Sequence, residues 1–250
     1  MNRPIGVFDS GIGGLSVLKA MKDLMPGEYF IYYADSLHNP YGSKNGDELL
    51  EITSNIVDYL LDKDCKIIVI ACNTATTVCR EELMNKYKDV VFVGVVPAIK
   101  MAYDNDSKNT LVLATPYTVR SKRMDELVTT YKHNDQKITL VPCLDLAHTV
   151  EHGDEGDIAR ILDRELREYR EQTFDMVILG CTHYSIIKEM IKSYYPNSKI
   201  IDGNLGVARE VKHQLELANQ LNDGEVGKIE FVNSDKDFKL DLEEVLNNIK

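Results

Sequence analysis

Short apolar runs alternate along the chain with longer segments whose apolar residues recur every three or four positions. The runs at 5–8, 29–33, 67–71 and 90–95 read as strands, and those at 110–114, 138–141, 176–179 and 199–201 repeat the pattern. Between them, 13–25 carries Leu15, Leu18, Met21, Leu24 and Met25 on one helical face, and 47–61 carries Leu50, Ile52, Ile56, Tyr59 and Leu60. Further helices are expected at 76–87, 119–131, 157–173, 185–194 and 207–221, and the tail offers a strand at 228–232 and a helix at 240–249. Residues 35–44 read as a loop. The run 67–71 is continuous and β-branched, as in strands covered on both faces of a parallel sheet. Repeated βα units predict an α/β fold with parallel sheets.

The two halves echo each other. The strand ending in Asp9-Ser10 resembles the one ending in Ala114-Thr115, and the strand ending in Ala71-Cys72 resembles the one ending in Gly180-Cys181. Ser10 and Cys72 are 62 residues apart, Thr115 and Cys181 66. This spacing predicts two similar lobes, 1–97 plus 210–250 and 98–209, with a cleft between the carboxyl ends of their sheets, the usual ligand position in such folds.

Composition narrows the function. The 250 residues carry a formal net charge of −11, which argues against a nucleic-acid or acidic-membrane partner. No apolar run is long enough to span a bilayer and the start lacks a signal-peptide pattern, so a cytoplasmic location is expected. The five cysteines are odd in number and widely spaced, which favours reduced thiols over disulfides. Neither a Cys-x-x-Cys nor a His-x-x-x-His spacing is recognised and Cys181-Thr182-His183 alone is a poor zinc signal, so no metal site is expected.

Cys72 and Cys181 each end a buried strand and open a polar turn into a helix. There the helix dipole and free N–H groups favour thiolate. One such cysteine is unremarkable, because cysteine is a common buried residue, but two at equivalent places in repeated units point to chemistry. Cys65, Cys79 and Cys143 read as inert. The turn Asp9-Ser10-Gly11-Ile12-Gly13-Gly14 permits close backbone approach and can hold an anion at the following helix. Asp9 and His183 are placed to exchange protons with a neighbouring thiol. Glu151 reads from its surroundings as a polar loop residue. The charges of 157–171 are expected to form a solvated face with i,i+4 pairs.

The segments 5–17, Pro40-Tyr41-Gly42, Ala71-Cys72-Asn73-Thr74-Ala75, Thr118-Val119-Arg120-Ser121 and 179–184 together identify a resemblance. In order and spacing the chain resembles the glutamate racemases of the aspartate/glutamate racemase superfamily. The resemblance implies two flavodoxin-like lobes, racemisation without a cofactor, supply of D-glutamate for peptidoglycan, and a homodimer. It implies Cys72 and Cys181 as the two acid/base residues, with Asp9 assisting Cys72, His183 assisting Cys181, and Glu151 nearby. Substrate contacts carried over are Ser10, Tyr41, Gly42, Asn73, Thr74, Thr115, Thr118 and Thr182. The chain departs from the family pattern at 35–39, at 144–148, at Ser185 in place of proline, and at Asp202-Gly203. These departures bear on substrate choice, so an aspartate or broad-specificity amino-acid racemase is the nearest alternative. A non-catalytic two-lobed binding protein is the alternative from another class.

Racemisation removes an α-proton from one face and returns one to the other. Two bases can flank the carbon, one thiolate and one thiol, with roles reversed for the other enantiomer. The N–H groups of Gly11, Asn73 and Thr74 and the hydroxyls of Ser10, Thr74 and Thr182 suit the anionic transition state.

Overall fold

The computed structural model describes residues 3–131, 135–222, 224 and 227–249. The chain forms two compact units, one running to Val95 and resuming at Asn204, the other spanning Val96–Gly203. Among the described residues there are nine strands: β1 (Ile5–Asp9), β2 (Tyr29–Ala34), β3 (Ile67–Ile70), β4 (Phe92–Gly94), β5 (Asn109–Ala114), β6 (Lys137–Pro142), β7 (Met176–Gly180), β8 (Lys199–Ile201) and β9 (Lys228–Asn233). The first unit holds a sheet in the order β4-β3-β1-β2-β9, the second a sheet in the order β6-β5-β7-β8, and every pairing is parallel.

The echo in the sequence is an echo in topology. In each unit the first strand is flanked by the second on one side and the third on the other, with the fourth beyond the third. The third strands, β3 and β7, are the ones that lead into Cys72 and Cys181. β9 adds to the first unit alone, beside β2.

Both faces of each sheet are covered, so side chains alternate between two cores instead of between core and solvent. In the first unit Ile5, Val7, Ile67, Val69 and Ala71 pack with the helices Leu15–Leu24 and Asn204–Leu217. Phe8, Ile68, Ile70 and Cys72 face the other way, against Gly46–Asp62 and Asn73–Lys86. In the second unit Val177, Leu179 and Cys181 share one core, Met176 and Ile178 the other. Each catalytic candidate is therefore the last buried position on one face of a central strand.

Helix ends depart from the periodicity. The helix expected at 76–87 begins at Asn73, directly after Cys72. Asn73, Thr74, Ala75 and Thr76 are buried by the strand ends and not by an apolar stripe, so spacing carried no signal for that first turn. The segment 119–131 is two helices, Pro116–Val119 and Lys122–Tyr131. Thr115 caps the first through the Thr118 N–H, and the Ser121 hydroxyl accepts the Met124 N–H at the start of the second. The segment 185–194 likewise divides into Thr182–Ile186 and Lys188–Tyr194. The segment 157–173 is the helix Glu155–Glu165 followed by a 3-10 turn, Arg167–Tyr169. Its ion pairs run from Arg160 to Asp157, from Arg164 to Asp145 and Glu165, and from Arg170 to Asp163, not between i,i+4 partners. Two short helices lack any sequence signal above: Ile99–Asp104 and Leu146–His152.

Candidate active site

In the first unit the register pairs Phe8 with Ile70, so β1 and β3 end side by side and deliver Asp9-Ser10 next to Ala71-Cys72. The Cys72 thiol donates to Ser10 Oγ at 3.9 Å, and that hydroxyl reaches Asp9 Oδ1 at 3.5 Å. Asp9 is fully buried. Its other oxygen accepts the Gly14 N–H at 2.5 Å, at the start of the helix Leu15–Leu24, a place that suits negative charge. The anion expected at this helix start is thus the protein's own carboxylate. Gly14 is the glycine the geometry requires. A Cβ there would stand 2.8 Å from Asp9 Cβ and from the Tyr32 hydroxyl, and 2.9 Å from Ala71 Cβ. Tyr32 in turn donates to the Gly11 carbonyl at 2.7 Å, which pins the turn.

Asn73 and Tyr41 flank this thiol differently. Asn73 is buried at the first position of the helix Asn73–Lys86, and its Nδ2 has no hydrogen-bond partner among the described residues. Such a buried donor is costly unless something accepts from it. Tyr41 is buried in the 3-10 turn Tyr41–Ser43, after a cis Asn39–Pro40 peptide. Its hydroxyl donates to Asp35 Oδ2 at 2.7 Å. Burial, then the charges of Asp35, Cys72 and Asp9, hold it well above the usual phenol range. Gly42 is exposed and a Cβ would meet nothing within 4 Å, so the protein itself does not demand glycine there.

In the second unit Cys181 precedes the helix Thr182–Ile186, and its sulfur lies 3.9 Å from His183 Nδ1. His183 Nε2 meets Glu151 Oε2 at 2.6 Å, with both side chains buried. Burial would lower the imidazole pKa. The bonds to Cys181 and Glu151, together with their charges, outweigh it and hold His183 well above its ordinary value. Glu151 corrects the expectation of a loop residue: it lies in the helix Leu146–His152 with its carboxylate turned inward. Thr115 Oγ1 donates to Thr118 Oγ1 at 3.0 Å at the end of β5, and Thr182 is buried beside Cys181.

The other thiols sit where they cannot ionise readily. Burial pushes Cys65 up to about 12 and Cys79 up to about 11, and it pushes Cys143 up as well. A thiol held protonated is neither nucleophile nor base at neutral pH.

Asp35 is a further candidate beside this site that the sequence reading missed. It is buried at the end of β2, accepts from Tyr41, and lies 2.8 Å from His38 Nδ1. Its signal was positional, since an acid directly follows a buried strand, as Asp9 ends one. Metal-ligand spacing was also overlooked: His148-Thr149-Val150-Glu151-His152 is a His-x-x-x-His pair. Among the described residues no group of three or more potential ligands gathers for a metal ion. None of the described helices is long and apolar enough to cross a membrane.

Comparison with known proteins identifies the family of the chain. Residues 14–211 match the Asp/Glu/hydantoin racemase family. A glutamate racemase of Clostridium botulinum is 40% identical over 244 residues, covering 96% of this chain and 94% of that protein. The crystal structure of the Francisella tularensis glutamate racemase in complex with D-glutamate superposes with a TM-score of 0.81 at 28% identity, covering 98% of this chain and 92% of that one. The aspartate racemase of Picrophilus torridus, at 17% identity and a TM-score of 0.59 over 89% of this chain and 100% of its own, shares the fold. With a family match over most of its length and relatives of 40% identity along nearly all of it, the chain belongs to the Asp/Glu/hydantoin racemase family.

Proposed function

We propose that the protein is a glutamate racemase that interconverts L- and D-glutamate without a cofactor and supplies D-glutamate for peptidoglycan. The observation that carries this reading is the pair of strand-end thiols, each leading through one polar group to a buried carboxylate. Its support from relatives is the 40% identity along nearly the whole chain. In this reading each thiol serves one face of the α-carbon. For one enantiomer the Cys181 thiolate takes the α-proton while the Cys72 thiol gives one to the opposite face, and for the other the roles exchange. Protonated His183 places positive charge beside the Cys181 sulfur while its second N–H donates to Glu151, and Ser10 couples the Cys72 thiol to Asp9.

The carbanion is the difficult species, because the substrate carboxylate is already charged. The unpartnered Asn73 Nδ2 is a preorganised donor for it, and such donors contribute about 3 kcal/mol each to related transition states. Thr74, Thr115, Thr118, Thr182 and the backbone at Tyr41-Gly42 complete the proposed substrate contacts. This reading routes no step through a Schiff-base lysine. A cytoplasmic homodimer belongs to the same reading, and sedimentation at micromolar concentration checks the dimer.

The test is α-deuterium exchange. Incubated in deuterated water with L- or D-glutamate and no added cofactor, the protein should incorporate deuterium and lose optical rotation with either enantiomer. Folded protein that exchanges neither refutes the proposal. Exchange of aspartate in place of glutamate assigns the alternative specificity, for which Ser185 and Asp202 are the residues to examine. These two departures from the family pattern contact each other, Ser185 Oγ donating to Asp202 Oδ2 at 3.4 Å.

A further inference from the structure

The helix Leu146–His152 carries His148 and His152 four residues apart, on one face of the helix and both exposed. Their ring centres are 4.6 Å apart and their planes cross at 56°. Neither imidazole has a hydrogen-bond or ion-pair partner among the described residues, so their ring nitrogens are uncommitted. Other polar groups nearby are already engaged: Asp145 pairs with Arg164, Asp154 caps the next helix, and Glu151 turns inward to His183.

We propose that His148 and His152 form a two-histidine site for a late divalent transition-metal ion of the nickel, zinc and copper class. Paired histidines at this spacing on a helix are a standard way to present two imidazoles to one ion. The separation of the ring centres fits a shared ion. With a metal–nitrogen bond of about 2 Å, each ring centre lies about 3 Å from the ion, and two rings at a square or tetrahedral angle stand about 4.5–5 Å apart. Imidazole suits nickel, zinc and copper, whereas calcium and magnesium prefer oxygen. Two protein ligands leave the remaining positions to water, so the site is an exchangeable one and not a structural zinc site.

Nickel titration by calorimetry tests this, because nickel favours imidazole. Thiol ligation is separated with a Cys72→Ser/Cys181→Ser chain. The wild-type protein and this double-serine chain, whose remaining cysteines Cys65, Cys79 and Cys143 are buried, should each bind one nickel ion with equal affinity. Since the second ligand acts by its high effective concentration, His148→Ala and His152→Ala should each weaken binding by about tenfold or more. The double variant should abolish it. No stoichiometric binding by the wild type, wild-type affinity in either single histidine variant, or binding lost with the thiols would each overturn the site.

Discussion

The two units solve one problem with different chemistry. Each places a cysteine at the end of its third strand, and each connects that sulfur to a buried carboxylate through one intermediate group. In the first unit the intermediate is the Ser10 hydroxyl, which relays hydrogen bonds but cannot hold an extra proton near neutrality. In the second it is His183, which can. Asp9 is anchored by a backbone N–H at a helix start, whereas Glu151 is anchored by the imidazole it supports. The scaffold is therefore repeated while the polar partner of each sulfur differs, and the two units should respond differently to pH and to mutation.

Removing either sulfur is the severest way to break this comparison. Cys72→Ala and Cys181→Ala should each lower racemisation by about 10³-fold or more, near the upper range for a lost acid/base group, as read by polarimetry with both enantiomers. Near wild-type turnover in either variant removes that thiol from the mechanism. Asp9→Asn and His183→Asn should each reduce kcat by about 10²-fold with a smaller change in KM. The comparison is sharpened by isotope effects: the α-deuterium effect should grow in opposite substrate directions for the two variants.

Gly14→Ala isolates the first unit. The added methyl meets Asp9, Tyr32 and Ala71 at contacts real side chains do not tolerate, so a loss of about 1–3 kcal/mol is expected in denaturant unfolding. Activity should fall with it, because the helix start that holds Asp9 must shift.

Glu151→Gln isolates the second unit through pH. With its pKa raised on folding, protonated His183 contributes stability that is fully present below about pH 6.5, the unfolded value, and is lost as pH rises through the higher folded value. Removing the Glu151 charge lowers the folded value. The alkaline limb of stability should therefore move to lower pH, and that of kcat with it, while Ser10→Ala moves neither. The smallest effect is expected from Cys79→Ala. It should cost about 1 kcal/mol of stability from a buried side chain and leave turnover unchanged.

The strand pattern and the paired cysteines were legible in the sequence because buried parallel strands write themselves as continuous apolar runs. Asp9 and His183 were legible because they adjoin those runs. Glu151 was not. Its helix is seven residues long, with Leu146 and Val150 as its buried residues, too short for periodicity to register, and its carboxylate is buried by a partner 32 residues away. Asp35 was hidden for a related reason: what marks it is the Tyr41 hydroxyl, which only the folded turn brings to it. The first turn of the helix at Asn73 was hidden because its residues are polar and buried by strand ends. In each case the missing information was tertiary, and in each case it concerned a polar group.

The fifth strand of the first unit has a consequence for how the chain is made. β9 pairs with β2, and the helix Asn204–Leu217 packs against Leu15–Leu24, so residues from opposite ends of the polypeptide share one sheet and one core. During synthesis the second unit, continuous from Val96 to Gly203, is complete while the first still lacks its last strand and two of its helices. At about 5–20 residues per second, several seconds pass before the ribosome delivers them. Throughout that interval the face of the first sheet that carries Val7, Val69 and Ala71 lacks its late helices, while Cys72 on the opposite face already has its cover from Gly46–Asp62 and Asn73–Lys86, so the nascent chain is most exposed to proteases and aggregation on the Ala71 face.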